Sequence, residues 1–173
     1  MSHVKKMMMM IAGATFMLSC NDKDTITVTE QNDVEASFRT TINEVNTRAT
    51  DTTWEVDDAI GIFALNEGEA LSAESIYDGM GNIEYRNNAA GVTADFEAVS
   101  TPIMFPGDGT KLDFVAYYPY TTAVTEDYLL PIDIAEQTPL SSIDVLYASA
   151  YNQNKHNPSV PLIFTHQLSQ VAI

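Results

Sequence analysis

Beyond residue 20, apolar side chains recur at every second position in short runs, and Gly, Pro, Asn and Asp separate the runs. No stretch there keeps a sustained 3.6-residue apolar repeat. Alternation of this kind puts successive side chains on opposite faces of an extended chain, so it predicts half-buried β-strands. In residues 35–44, Ala36, Phe38 and Ile42 share one parity and Arg39 lies on the other. Ile26 and Val28 alternate with threonines. Residues 59–65 are apolar at both parities and predict a central strand covered on both faces. In residues 111–118, Leu112, Phe114, Ala116 and Tyr118 point one way, with Asp113, Val115 and Tyr117 the other. Residues 82–86 and 92–98 are short and half polar, with a turn-prone stretch between them. Residues 128–134, 143–150 and 160–173 complete the set, and the irregular residues 66–80 suit a loop or a short helix.

The turn chemistry agrees. Pro106 fixes φ and Gly107 and Gly109 tolerate positive φ, as a tight connection requires, while Pro119, Pro131 and Pro139 fall at or near run ends. Seven to nine runs at a spacing of roughly ten residues predict an antiparallel β-sandwich or barrel. In the last run Val160, Leu162, Phe164, His166 and Leu168 share a parity, so His166 faces the apolar side. It reads as a core or rim residue with one ring nitrogen bonded to a backbone carbonyl. The sequence stops at Ile173 within an apolar run that needs a partner to cover it, which reads as a truncated chain.

The first residues have a different character. Lys5 and Lys6 precede an apolar stretch from Met7 to Leu18, followed by Ser19-Cys20. A positive segment, twelve largely apolar residues and a small residue describe a signal peptide, and that stretch is shorter than the roughly 20 residues a membrane-spanning helix needs. Met17-Leu18-Ser19-Cys20 resembles a bacterial lipobox, in which the cysteine is lipidated and becomes the new N-terminus. The acidic Asn21-Asp22-Lys23-Asp24 stretch after it resembles a signal for export to the outer cell surface. The chain therefore divides into a lipoprotein signal peptide (1–19), an acidic tether (20–34) and one β domain (35–173).

Charge narrows the function further. Eight Lys and Arg face 24 Asp and Glu, a net charge of −16. Removal of residues 1–19 takes Lys5 and Lys6 and no acid, so six cations then face 24 acids, for a charge of −18. No cationic stripe is available to neutralise phosphates, so nucleic acid is not an expected partner. One cysteine excludes an intramolecular disulfide and a multi-cysteine zinc site. No metal site or cofactor is expected, because calcium-loop, phosphate-loop and dinucleotide motifs are all missing. No nucleophile elbow marks an enzyme, and the adjacent pairs Asp57-Asp58 and Glu126-Asp127 would point to opposite faces of a strand. Trp54 with Tyr117, Tyr118, Tyr120, Tyr147 and Tyr151 offers an alternative, a surface glycan-binding platform. Core and rim packing is the favoured reading of these rings.

Six segments taken in order resemble the Bacteroidetes fimbrillin (Mfa-like) family, the subunits of type V pili. They are Val45-Asn46-Thr47-Arg48-Ala49-Thr50; Trp54 through Asp57-Asp58-Ala59-Ile60-Gly61-Ile62-Phe63; Ile103-Met104-Phe105-Pro106; Leu112 through Tyr120; Asp144-Val145-Leu146-Tyr147-Ala148; and Leu162-Ile163-Phe164-Thr165-His166-Gln167-Leu168. The resemblance implies an N-terminal transthyretin-like (Greek-key) β-sandwich of about seven strands, belonging to a non-enzymatic pilus subunit or adhesin-like module. It implies export as an outer-membrane lipoprotein anchored at Cys20, then cleavage between Arg48 and Ala49 by a trypsin-like surface protease. The strand around Phe38 and Ile42 would be displaced, and a donor strand from a neighbouring pilin subunit would take its groove. A host or bacterial surface is the further expected partner. Family members usually carry a second β domain, and this sequence reads as ending before one begins. Asp24-Thr25-Ile26 and Asp51-Thr52-Thr53 also resemble O-glycosylation acceptors of this phylum.

Overall fold

The computed structural model describes residues 32–43, 53–132, 135 and 144–167. Among them the strands are β1 (Val34–Glu35), β2 (Ser37–Ile42), β3 (Ala59–Asn66), β4 (Ile83–Asn87), β5 (Thr93–Ala98), β6 (Met104–Phe105), β7 (Leu112–Tyr118), β8 (Leu146–Gln153) and β9 (Ser159–His166). A single 3₁₀ turn, Tyr77–Gly79, lies in the irregular stretch after β3. The described residues are thus all-β apart from that turn, with most strands where alternation predicts them. β7 shows the parity cleanly: Leu112, Phe114 and Ala116 are buried in the main core, while Val115 and Tyr117 join a second cluster on its other face.

Seven strands close into one barrel in the order β2-β5-β4-β3-β7-β8-β9, and β1 pairs with β6 in a separate two-stranded sheet. The run spacing allows an antiparallel sandwich or a barrel, and the family resemblance implies the transthyretin-like sandwich; the structure takes the closed form. The ladder continues all the way round because β2 fills the space between β5 and β9. β2 runs antiparallel to β5, with Phe38 opposite Phe96, and parallel to β9, with Ser37–Ile42 opposite Ser159–Phe164. A parallel pair cannot be joined by a tight hairpin, and β2 and β9 lie at opposite ends of the described chain. Closure is uneven. β8 and β9 share register only at Leu146↔His166 and Tyr147↔Thr165.

The barrel interior is the main core. Ile60, Ile62 and Ala64 of β3 face Phe114 of β7, Phe38 of β2 and Leu162 and Phe164 of β9, all nearly inaccessible to solvent. Rings meet edge-on, Phe38 at 4.9 Å from Tyr85 and 5.3 Å from Phe114, the arrangement aromatic quadrupoles prefer. β3 is buried on both faces, as expected of a central strand. Its outward Phe63 and Leu65 sit with Tyr117 under Leu71, Ile76, Val124 and Tyr128, which belong to the stretches after β3 and β7. Gly61 makes that face possible: a Cβ there would come within 2.3 Å of the Tyr117 ring.

Two further expectations change. Residues 128–132 form no strand, and residues 133–134 lie outside the described set. Tyr128 has a positive φ of 60°. The Thr125 carbonyl and hydroxyl accept the amides of Tyr128 and Leu129, which closes a turn where extension was expected. The short β1 and β6, two residues each, are too brief for any periodicity to announce.

Candidate assembly site

β2 carries Phe38 and Ile42, the residues expected on a displaceable strand. Its pattern Ser-Phe-Arg-Thr-Thr-Ile alternates exposed and buried positions, so Phe38, Thr40 and Ile42 enter the barrel, joined by Ala36 just before the strand. Phe38 is 1% exposed and Ile42 4%. Thr40 can be buried because its hydroxyl donates to the Ala94 carbonyl at 3.1 Å. Arg39 is exposed and stands opposite Asp95 on β5. Beyond the ladder, backbone bonds pin both ends of the strand: Ser37 donates to the Pro158 carbonyl and Asn43 to the Phe164 carbonyl.

The groove that β2 fills is lined by aromatic and aliphatic side chains. Tyr85, against the Phe38 ring, accepts the Ile103 amide at 2.8 Å. Burial pushes its phenol up to about 12.

Near the Ile42 end of β2 the barrel mouth holds a cavity of about 90 Å³ among Ile42, Trp54, Asp58, Tyr118, Asp144 and Leu146. Trp54 pairs with Gly91 through both backbone hydrogen bonds and packs edge-on against Phe96, Tyr118 and Phe164. It is 1% exposed. That position corrects the glycan-platform alternative, since a buried indole offers no face to a sugar. Tyr147 and Tyr151 are the exposed members of the aromatic set. The hydroxyl of Tyr118 donates to Asp58 at 3.1 Å, and burial followed by Asp58 and Asp144 raises its pKa. His166 is buried on the apolar side as expected, but its partner differs: Nδ1 pairs with Asp144 Oδ1 at 2.8 Å, a carboxylate and not a backbone carbonyl. Nothing in the spacing of Asp144 and His166 signals this pair, because the register of β8 on β9 creates it.

Cys20, Arg48 and Ala49 lie outside the described residues, as do Ile26 and Val28. Of the residues expected to take part in assembly, the structure places Phe38 and Ile42, and both point inward. Among the described residues no three His, Cys, Asp or Glu side chains are grouped to hold a metal ion.

The chain presents an all-β domain whose first long strand lies between two strands distant from it in sequence. Comparison with known proteins narrows this. Residues 47–173 match the fimbrillin-like family, and the chain belongs to that family. A relative named as a fimbrium subunit, Fim1C of Bacteroides uniformis, is 39% identical over 131 residues, covering 75% of this chain and 41% of its own length. The chain thus spans about two fifths of that relative. Two crystal structures titled for cell adhesion proteins share the fold. One, from Bacteroides uniformis, has 31% identity and a TM-score of 0.64 over 80% of this chain and 49% of its own. The other, from Bacteroides ovatus, has 29% identity and a TM-score of 0.56 over 78% and 53%.

Proposed function

We propose that this chain is a surface-tethered, non-enzymatic fimbrial subunit or adhesin module that assembles by strand exchange at the β2 position. The observation that carries this reading is the lodging of β2: one short strand supplies Ala36, Phe38, Thr40 and Ile42 to the core and hydrogen-bonds to strands on both sides. Its departure would leave two open strand edges flanking an apolar slot, and unpaired edges recruit strands. Burial of Phe38 and Ile42 is worth roughly 1.5–3 kcal/mol each, so the slot does not stay empty in water. Cleavage between Arg48 and Ala49 would sever β2 from β3 while leaving every strand from β3 to β9 in one piece. A neighbouring pilin subunit then supplies the replacement strand.

Export rests on the sequence. Lipidation of Cys20 would hold the chain on the outer membrane, facing outward, until the cut releases it. On this reading residues 35–173 are the N-terminal, transthyretin-like domain of the family, with its two faces joined into one barrel by β2. The exposed surface, acidic in composition, would meet the host or another bacterium.

Treatment of the chain with a trypsin-like protease tests this. One dominant cut after Arg48, with the β2 fragment released only when a competing strand peptide is present, is the expected result. Cleavage scattered through β3–β9, or a cut chain that takes up no strand, would contradict it.

A further inference from the structure

The segment that carries β2 is held well beyond the barrel. β1 leads straight into β2 and pairs with β6, Val34 opposite Phe105 and Glu35 opposite Met104. The Ala36 amide extends this pairing to the Ile103 carbonyl, and from Ser37 onward the backbone turns to Pro158 and β9. Ala36 is the crossing point: its amide belongs to the outer ribbon, and its side chain, 1% exposed, belongs to the barrel.

At the far end of the ribbon, the next step of the ladder would set Asp33 against Pro106, which has no N–H to donate. The first donor beyond it is Gly107. Pro106 opens a turn that the Gly109 amide closes on the Pro106 carbonyl, with Gly109 at a φ of 85°. Within that turn Gly107 is buried, and its amide donates to Asp33 Oδ1 at 2.8 Å. Its carbonyl accepts from the Lys155 ammonium. Asp108 accepts the Thr110 amide in its own loop, so the Gly107 amide is left to Asp33. A buried amide that loses its acceptor is costly, and a carboxylate is a stronger acceptor than a neutral group.

We infer that the strand-uptake site continues past the barrel to β6 and Gly107, where it selects a neighbouring subunit's strand that carries a carboxylate at the position Asp33 now fills. The inference rests on the strand exchange proposed above and gives the partner strand a chemistry. After the carboxylate come a small residue three positions on, an aromatic at five, a hydroxyl at seven and an aliphatic at nine. These are the places of Ala36, Phe38, Thr40 and Ile42. Ser37 and Arg39 are exposed, so the positions between carry little selection. The barrel alone reads alternation, which any amphipathic strand supplies. A slip of two residues keeps the same parity inward, but it takes the carboxylate away from Gly107. The outer end of the site thus fixes register and separates the right strand from a merely apolar one.

The test varies only the peptide, so the protein's own folding is the same in every arm. Chain cut after Arg48 and freed of its leading fragment is titrated with synthetic peptides. The peptide of residues 32–44 should bind about tenfold more tightly than its Asp33→Ala form, with Asp33→Asn between them. The peptide of residues 36–44, without the β1 portion, should bind most weakly. Hydrogen exchange should show the Gly107 amide protected by the unchanged peptide and unprotected with Asp33→Ala, a loss that weaker strand packing in general would not confine to that amide. Equal binding by the unchanged, Asp33→Ala and 36–44 peptides would overturn the extended site and leave strand exchange standing. Binding of the Asp33→Asn peptide as tight as the unchanged one would overturn the selection for a carboxylate. No binding by any of them would overturn strand exchange and the extended site together.

Discussion

Phe38 and Phe63 are buried almost equally, at 1% and 3% exposure, yet different means keep them there. Phe38 stands inside the barrel on a strand joined in sequence to neither of its ladder partners, β5 and β9. Phe63 stands outside, on β3, under residues 71–76 and 124–130, which belong to the loops leaving β3 and β7. The outer cluster is covered by chain that cannot depart without unravelling its own strands. The inner slot is covered by chain held by contacts alone, apart from the single link from β2 to β3. In this fold, then, burial does not measure permanence. What matters is whether the covering segment is covalently committed to what it covers.

Truncations on either side of the barrel wall should separate the two regions. Phe38→Ala should cost about 3–5 kcal/mol, since ladders on both sides hold the slot open and the cavity cannot collapse. Phe63→Ala should cost less, about 3 kcal/mol, because the covering loops can settle into the space. Chemical denaturation of both variants checks this, and equal losses would remove the distinction. Gly61→Ala should cost about 1–3 kcal/mol by forcing the Tyr117 ring off β3, loosening the outer cluster while leaving strand uptake intact.

Tyr85→Phe probes the inner slot more gently. It leaves the Ile103 amide without its acceptor, for about 1–2 kcal/mol. It should also change the alkaline limb of the stability curve. The fold raises the Tyr85 phenol from 10 to about 12 and so favours its neutral form. That stabilisation is complete below pH 10 and lost as pH climbs through about 12, and denaturation across this window should show a shallower fall in the variant. Arg39→Ala, exposed on the outer face of β2, should shift stability by less than about 0.5 kcal/mol and leave strand exchange unchanged.

The same comparison explains what the sequence discloses. The parity of β2, β3 and β7 is legible because a barrel wall imposes a period of two, and both faces of β3 are apolar because loops cover the second. The parallel seam of β2 on β9 is not legible, since pairing between distant segments leaves no local signature. Residues 128–134 alternate like a strand, but Thr125 captures the amides of Tyr128 and Leu129 before extension begins. Asp144 and His166 meet only because β8 and β9 share register at Leu146↔His166. Trp54 suits a sugar platform by composition and a core by position, and pairing with Gly91 decides for the core.

The most direct measurement returns to the inner slot. Chain cut after Arg48 and freed of its leading fragment is mixed with a synthetic peptide of residues 35–44, and binding is followed by calorimetry alongside thermal unfolding. The strand-exchange account predicts saturable one-to-one binding that restores a cooperative transition, and no binding by a peptide carrying Ala at positions 38 and 42. A cut chain that keeps its full stability without any peptide, or that binds both peptides alike, would contradict it.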